Sequence, residues 1–372
     1  MVISLEQIGR LGDSLRFGHL AHAYMGRPYR RDDRLRYAIL FEPNRISYSQ
    51  VFPFILYAPQ IEEKFGVQLR FFNVDRIEQV RNFQADRVLL QTWFTRDPAF
   101  LGALFDKIRA TNATTTAFLD SFAHNDIRLA AHLDANIAFY LKKSLFKDRG
   151  QYLKPTLGHA PLDDYYNRLY QLTDEEVHWP VPDGFVDKLR VSPNFFTAPG
   201  LYRYFLNTDI DGLLGRPRDI DVHARLGKRG SPWYVTMRNH AAETLEALPG
   251  LTIASKGTVK QRVFNAELAR SKICFSPFGF GELCWRDIEA TAFGSVLLKP
   301  SMDHLETLPD LYEADVSYVP CAWDFSDLGD RVAWILDNPQ DAKTIVRTAF
   351  LRIRKYLQTN QFVDDMGFLF KE

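Results

Sequence analysis

The sequence predicts an α/β protein built from two Rossmann-like halves that face each other across a cleft. Three observations predict it. Short apolar runs alternate with helical stretches, the pattern that parallel strands and crossover helices require. The alternation lapses between residues 150 and 215 and then restarts, which separates two units. At 372 residues the chain also exceeds what one compact core comfortably holds.

The elements follow in order. A helical extension is expected over residues 3–25, ahead of a first strand over 36–41 that is closed by the turn Glu42, Pro43 and Asn44. A helical stretch over 47–65 follows, broken or kinked by Pro53 and Pro59. Strands are expected over 67–72 and 86–91, a helix over 100–109, and a strand over 114–119 that closes the series before Asp120. Pro155, Pro161, Pro180, Pro182, Pro193 and Pro199 then punctuate a connecting region.

In the second half a strand over 218–226 ends at the turn Gly227–Gly230, and a helix over 234–248 carries Ala241, Leu245 and Leu248 on one face. A strand over 251–254, a helix over 259–269, a strand over 272–276, a helix over 285–293 and a strand over 295–299 complete the alternation. The resulting division is 1–200, 201–340 and a C-terminal helix over 341–372 that is expected to cross back onto the first half.

Composition excludes several functions. Lysine plus arginine and aspartate plus glutamate both count 46, so no net field recruits nucleic acid. Cys274, Cys284 and Cys321 lack zinc-ligand or disulfide-framework spacing and read as reduced thiols. The N-terminus carries charges throughout, without the apolar core of a signal peptide, and no stretch approaches the roughly 18 apolar residues of a membrane span. A cytoplasmic protein is expected. Its aromatic residues, 14% of the chain, offer platforms for sugars and bases and are compatible with peripheral contact at a membrane surface.

The chemistry concentrates in residues 271–300. This stretch reads as strand, glycine-bearing turn, helix, tight turn at Gly294, strand. Gly279 and Gly281 let backbone approach a ligand closely, and the following helix N-terminus suits a diphosphate. At helical spacing Glu282, Arg286 and Glu289 share one stripe, while Cys284, Ile288 and Ala292 oppose it. Arg286 can hold a phosphate bidentately, and Glu289 can accept from ribose hydroxyls. An exposed helix laced with ion pairs accounts for the same spacing, but the turn at a strand's carboxyl end favours a ligand site.

This segment resembles the donor-binding part of the GT-B glycosyltransferases. The similarity rests on Gly279-Phe280-Gly281, the glutamate-bearing helix and the strand at Val296 to Leu298. It continues through His304 to Tyr312, Tyr318 to Pro320 and Val332 to Asn338. Bacterial exostosin-like enzymes, the protein O-glucosyltransferases and the C-terminal domain of group 1 glycosyltransferases share such a run. The resemblance covers residues 218–338 and implies an N-terminal acceptor-binding half and a C-terminal half that binds a nucleotide sugar, UDP- or GDP-linked. It implies transfer of the sugar to a glycan or glycoconjugate hydroxyl, as in polysaccharide synthesis, with no cofactor and no metal. Retaining members carry two glutamates farther apart than Glu282 and Glu289, so the carry-over rests first on Glu289 and stereochemistry stays open.

Arg225 and Lys256 end strands of the second half, where donor phosphates would lie. In the first half Asp120, His124 and Asp126 follow a strand and face the cleft, where one of them can serve as general base. Two rival readings exist. Asp209 and Asp211, after a strand-like run at 201–206, match the DxD pattern of manganese-dependent GT-A enzymes, as do Asp219 and Asp221. A non-catalytic protein that binds sugar or nucleotide on the same scaffold is the other. No GxSxG, Walker A or GxGxxG motif occurs.

Overall fold

The computed structural model describes residues 28–42, 44–75, 84–111, 113–193 and 200–371. The helix expected over 3–25, Pro43 of the first turn and Pro199 of the connection lie outside the described residues.

The first half carries strands β1 (Leu35–Phe41), β2 (Val67–Asn73), β3 (Arg87–Leu90), β4 (Thr114–Leu119), β5 (Phe139–Lys142), β6 (Ser144–Phe146), β7 (Thr156–Leu157), β8 (Glu176–Val177) and β9 (Leu189–Val191). Six of them form one sheet in the order β2-β1-β3-β4-β5-β9, and every neighbouring pair is parallel. Tyr37, Ala38, Ile39 and Leu40 of β1 are all fully buried, which is why this strand runs apolar from Tyr37 to Phe41 rather than alternating.

The second half carries β10 (Ile220–His223), β11 (Ile253–Ala254), β12 (Ser271–Phe275), β13 (Val296–Pro300), β14 (Leu305–Thr307) and β15 (Val319–Cys321). Five of these make a second parallel sheet, ordered β11-β10-β12-β13-β15. The remaining strand, β14, pairs antiparallel with β6 of the first half, so a two-stranded ribbon ties the halves together.

Several expectations need correction. The series does not close at Asp120, because β5 and β9 extend the first sheet. The stretch over 47–65 is two helices, Arg45–Leu56 and Ala58–Phe65, parted at Tyr57. Pro53 stays inside the first, and Pro59 falls in the first turn of the second, where its missing N–H costs nothing. Residues 201–206 are not strand-like but belong to the helix Leu201–Asn207, which buries Tyr202 and Phe205 three residues apart on one face.

The C-terminal helix Pro339–Gln358 packs on Leu201–Asn207, with Phe350 and Phe205 rings 5.1 Å apart. Beyond it, Phe362 packs on Phe54 and Tyr57 at 4.9 and 5.3 Å, and Phe370 on Tyr37 at 4.8 Å. The chain therefore ends against the first sheet's layer. No helix among the described residues is long and apolar enough to cross a membrane.

Candidate functional site

A cavity of about 760 Å³ lies where the carboxyl ends of the two parallel sheets meet. The first half contributes residues that follow β1, β3, β4 and β5: Gln50, Trp93, Phe122, His124 and Lys143 among them. The second half contributes the start of the helix Pro232–Glu246 and Phe280, Gly281, Leu283, Cys284 and Trp285, but not Glu282. Open α/β sheets bind ligands in this position, because side chains there leave the strands and the crossover helices begin.

Of the first-half candidates, His124 lines this cavity and Asp120 and Asp126 do not. Asp120 is buried and already engaged. It accepts from Lys142 Nζ at 2.6 Å and from the Tyr140 hydroxyl at 2.8 Å, while its other oxygen takes the Phe122 N–H. Asp126 accepts a two-pronged pair of bonds from Arg128 at 2.8 and 2.7 Å. Both carboxylates shape the loop after β4 and neither is placed as a base. His124 is held differently. Its ring stacks on Phe122 at 4.6 Å, and its Nδ1 faces Asp163 Oδ2 at 3.3 Å. A carboxylate at Nδ1 favours the tautomer with the proton there, leaving the lone pair on Nε2.

Asp163 was invisible in the sequence reading. It sits in the first turn of the helix Pro161–Leu169, is buried, and caps the chain by accepting the His159 N–H at 3.0 Å. The signal was present, since Pro161 followed by two acids marks a helix start, but the clustering of prolines masked it. Lys143 was missed too. It is 6% exposed, lines the cavity, and burial pulls its pKa down to about 8. Two lysines inside the apolar run 139–146 were the legible trace of it.

In the second half the glycine turn is built for contact between the halves. A β-carbon at Gly281 would lie 1.8 Å from the Ala123 carbonyl oxygen, so the close approach is made to the loop after β4. Gly281 lines the cavity, whereas Gly279 turns inward on Cys284 Sγ. The helix starts at Trp285 because Cys284 and Asp287 cap it reciprocally. Glu282 therefore precedes the helix and does not share the stripe of Arg286 and Glu289. It is wholly buried, and His304 Nε2 lies 3.9 Å from one of its oxygens. Asp287, which the sequence reading passed over, is a hub that accepts from Ser276 and Tyr312 and pairs with the buried Lys299 at 3.3 Å.

Arg286, Glu289, Arg225 and Lys256 do not line the cavity. Arg286 reaches Ser276 Oγ at 3.4 Å, and its buried Nε has no hydrogen-bond partner. Glu289 accepts from Gln261 at 3.0 Å. Arg225 is committed to Glu267 through bonds of 2.6 and 2.8 Å and to the carbonyls of Lys256 and Gly257, and the Lys256 side chain is exposed. Arg238, buried, donates to the Phe278 carbonyl at 2.7 Å and supports the glycine turn from behind.

The DxD pairs are structural. Asp209 caps the helix Ile210–Leu214, and Asp211 pairs with Arg347 at 2.5 Å. Asp219 pairs with Arg270, and Asp221 with Lys272.

A solved structure of a glycosyltransferase from Rickettsia africae is similar in fold. The present chain is similar to it over 91% of its own length and 98% of that chain, at 11% identity and a TM-score of 0.50. The fold is GT-B. Further solved structures resemble it less: a Staphylococcus aureus TarM variant (12% identity, 80% and 58% covered, TM-score 0.46) and a Thermosynechococcus elongatus sucrose-phosphate synthase (13%, 91% and 98%, 0.44). No protein-family profile and no curated protein matches the sequence. In this GT-B chain the cavity belongs to both halves, with His124 and Asp163 on one side and Phe280, Gly281 and Leu283 on the other.

Proposed function

We propose that the chain is a glycosyltransferase that moves a sugar from a nucleoside-diphosphate sugar to an acceptor hydroxyl held in the cleft cavity. The observation that carries this reading is the His124–Asp163 pair, which stands in a cavity shared by two facing parallel sheets.

In this mechanism the acceptor oxygen forms the new bond to the anomeric carbon as that carbon's bond to the diphosphate breaks. The hydroxyl proton passes to Nε2 of His124, and Asp163 stabilises the resulting imidazolium. The diphosphate leaves with the bonding electrons toward the second half, where the N-terminus of the helix Trp285–Phe293 and Arg286 offset its charge. The unpartnered Nε of Arg286 supports that role, and Glu289 stands one turn further along for the ribose.

The test is thermal stabilisation by UDP, GDP, CMP, ADP and dTDP, with and without manganese, repeated on Arg286→Ala and Glu289→Ala. At ligand about 100-fold above its dissociation constant, linkage adds about 2.7 kcal/mol. A metal-independent shift from one nucleotide, lost in both variants, is the expected result. Absence of any shift overturns the reading. Binding without turnover of the matching sugar nucleotide identifies a non-catalytic protein instead.

A further inference from the structure

We propose that the acceptor is a hydroxyl carried on an apolar, ring-bearing body rather than on a hydrophilic glycan. This rests on the sugar-transfer reading above and names the substrate class of the same cavity.

Polar side chains, among them Lys143, His159 and Asp174 beside the His124–Asp163 pair, line part of the cavity, and one wall of it is apolar. Starting from His124, aromatic rings run outward in unbroken contact. His124 meets Phe122 at 4.6 Å, Phe122 meets Phe94 at 3.7 Å, and Phe94 meets Trp93 at 4.9 Å. Ile46 joins this wall and is 38% exposed, although it is a large apolar side chain. Leu283 and Trp285 contribute from the second half. On the other side His124 meets Phe280 at 5.9 Å, and Phe280 stacks on Tyr234 at 4.4 Å. The base of the proposed reaction is thus embedded in a run of rings.

The hydrogen-bonding side chains of the lining lie on other residues than this wall, among them Gln50, Lys143, His159 and Asp174 beside the His124–Asp163 pair. Trp93, Phe94, Phe122 and Ile46 offer hydroxyls no hydrogen-bonding side-chain atom, apart from the single indole N–H donor of Trp93. A hydrophilic glycan laid along that wall would bury hydroxyls with nothing to bond, and a site that leaves such groups unpaired rejects them. An apolar body gains from the same contact, and its one reacting hydroxyl finds His124.

The experiment uses the full-length protein and three probes: phenyl β-glucoside, methyl β-glucoside and cellobiose. Calorimetric titration is run with and without the nucleotide that stabilises the protein. Phenyl β-glucoside is expected to bind at least about tenfold more tightly than either other probe, as burial of one ring predicts. Trp93→Ala should remove most of that preference. Ile46→Asp should too, and its exposed position in a helix's first turn keeps the fold intact. Equal or tighter binding of cellobiose overturns the proposal, as does a phenyl preference that survives both substitutions. A nucleotide shift without any phenyl preference sinks this inference alone. A phenyl preference without any nucleotide shift supports the apolar cavity and sinks the sugar-transfer reading.

Discussion

The α-carbon of Gly281 lies against the carbonyl oxygen of Ala123, so close that a β-carbon there would stand 1.8 Å from that oxygen. One residue belongs to the second half's glycine turn and the other to the loop after β4. The contact sets how nearly the two walls of the cavity approach each other.

Gly281→Ala should therefore force the walls apart or distort the loop that carries His124. Backbone is the obstacle, so no side-chain rotation relieves it, and a loss of about 1–3 kcal/mol or more in unfolding free energy is expected. Gly279→Ala meets only Cys284 Sγ at 3.2 Å and should cost less. Chemical denaturation of both variants checks the order. Equal losses would mean that the contact between the halves is not what constrains residue 281.

His124→Gln should lower the turnover number by about 10²–10⁴-fold, while the nucleotide-induced thermal shift persists. Asp163→Asn should lower it less, because the ring stays in place between Phe122 and Phe280 but loses its charged partner. Asp126→Asn should act mainly on stability, since that carboxylate serves Arg128. Steady-state kinetics beside thermal unfolding separates the three, and full activity of His124→Gln would refute its role as base.

Lys142 and Asp120 form an ion pair of 2.6 Å, with 1% and 5% of their side chains exposed. Removing one charge strands the other, so Lys142→Met should cost about 3–5 kcal/mol. The double variant Lys142→Met with Asp120→Leu should recover much of that loss, because the desolvation penalty vanishes with both charges. A double-mutant cycle by denaturant unfolding measures it, and strict additivity would contradict the pairing.

His223 is fully buried, and burial, assisted by the Arg286 charge, pulls its pKa from 6.5 down to about 4. The folded state thus holds the ring neutral while the unfolded state binds a proton between those values. Stability from this residue is present above pH 6.5 and is lost as pH falls toward 4, by about 3 kcal/mol in all. His223→Phe should flatten that part of the acid limb. Unfolding free energies between pH 7 and 4 test it, and an unchanged slope would assign the limb to other groups.

Much of the fold was legible because strand and helix periods are local. β1, β4, β10 and the helix Trp285–Phe293 stand within a few residues of where apolar runs and glycine punctuation put them. β5 was missed because Lys142 and Lys143 interrupt its apolar run, and β9 because prolines surround it. The buried lysine of β5 is tolerated only through a partner distant in sequence, Asp120. The run 201–206 reads as strand locally and is helix in the structure, since packing against Phe350 selects the spacing of Tyr202 and Phe205.

By itself the sequence determined the two-unit α/β architecture and the neighbourhood of the site, because hydrophobic period and turn chemistry act over a few residues. Which members of that neighbourhood converge was decided by the tertiary structure. It took Asp120 and Asp126 into ion pairs, Asp209 into a helix cap and Arg225 onto Glu267, and it brought Asp163 to His124. Whether a charged side chain is spent on structure or left to meet a ligand depends on what lies within about 4 Å of it, and that is set by the packing of elements far apart in the chain.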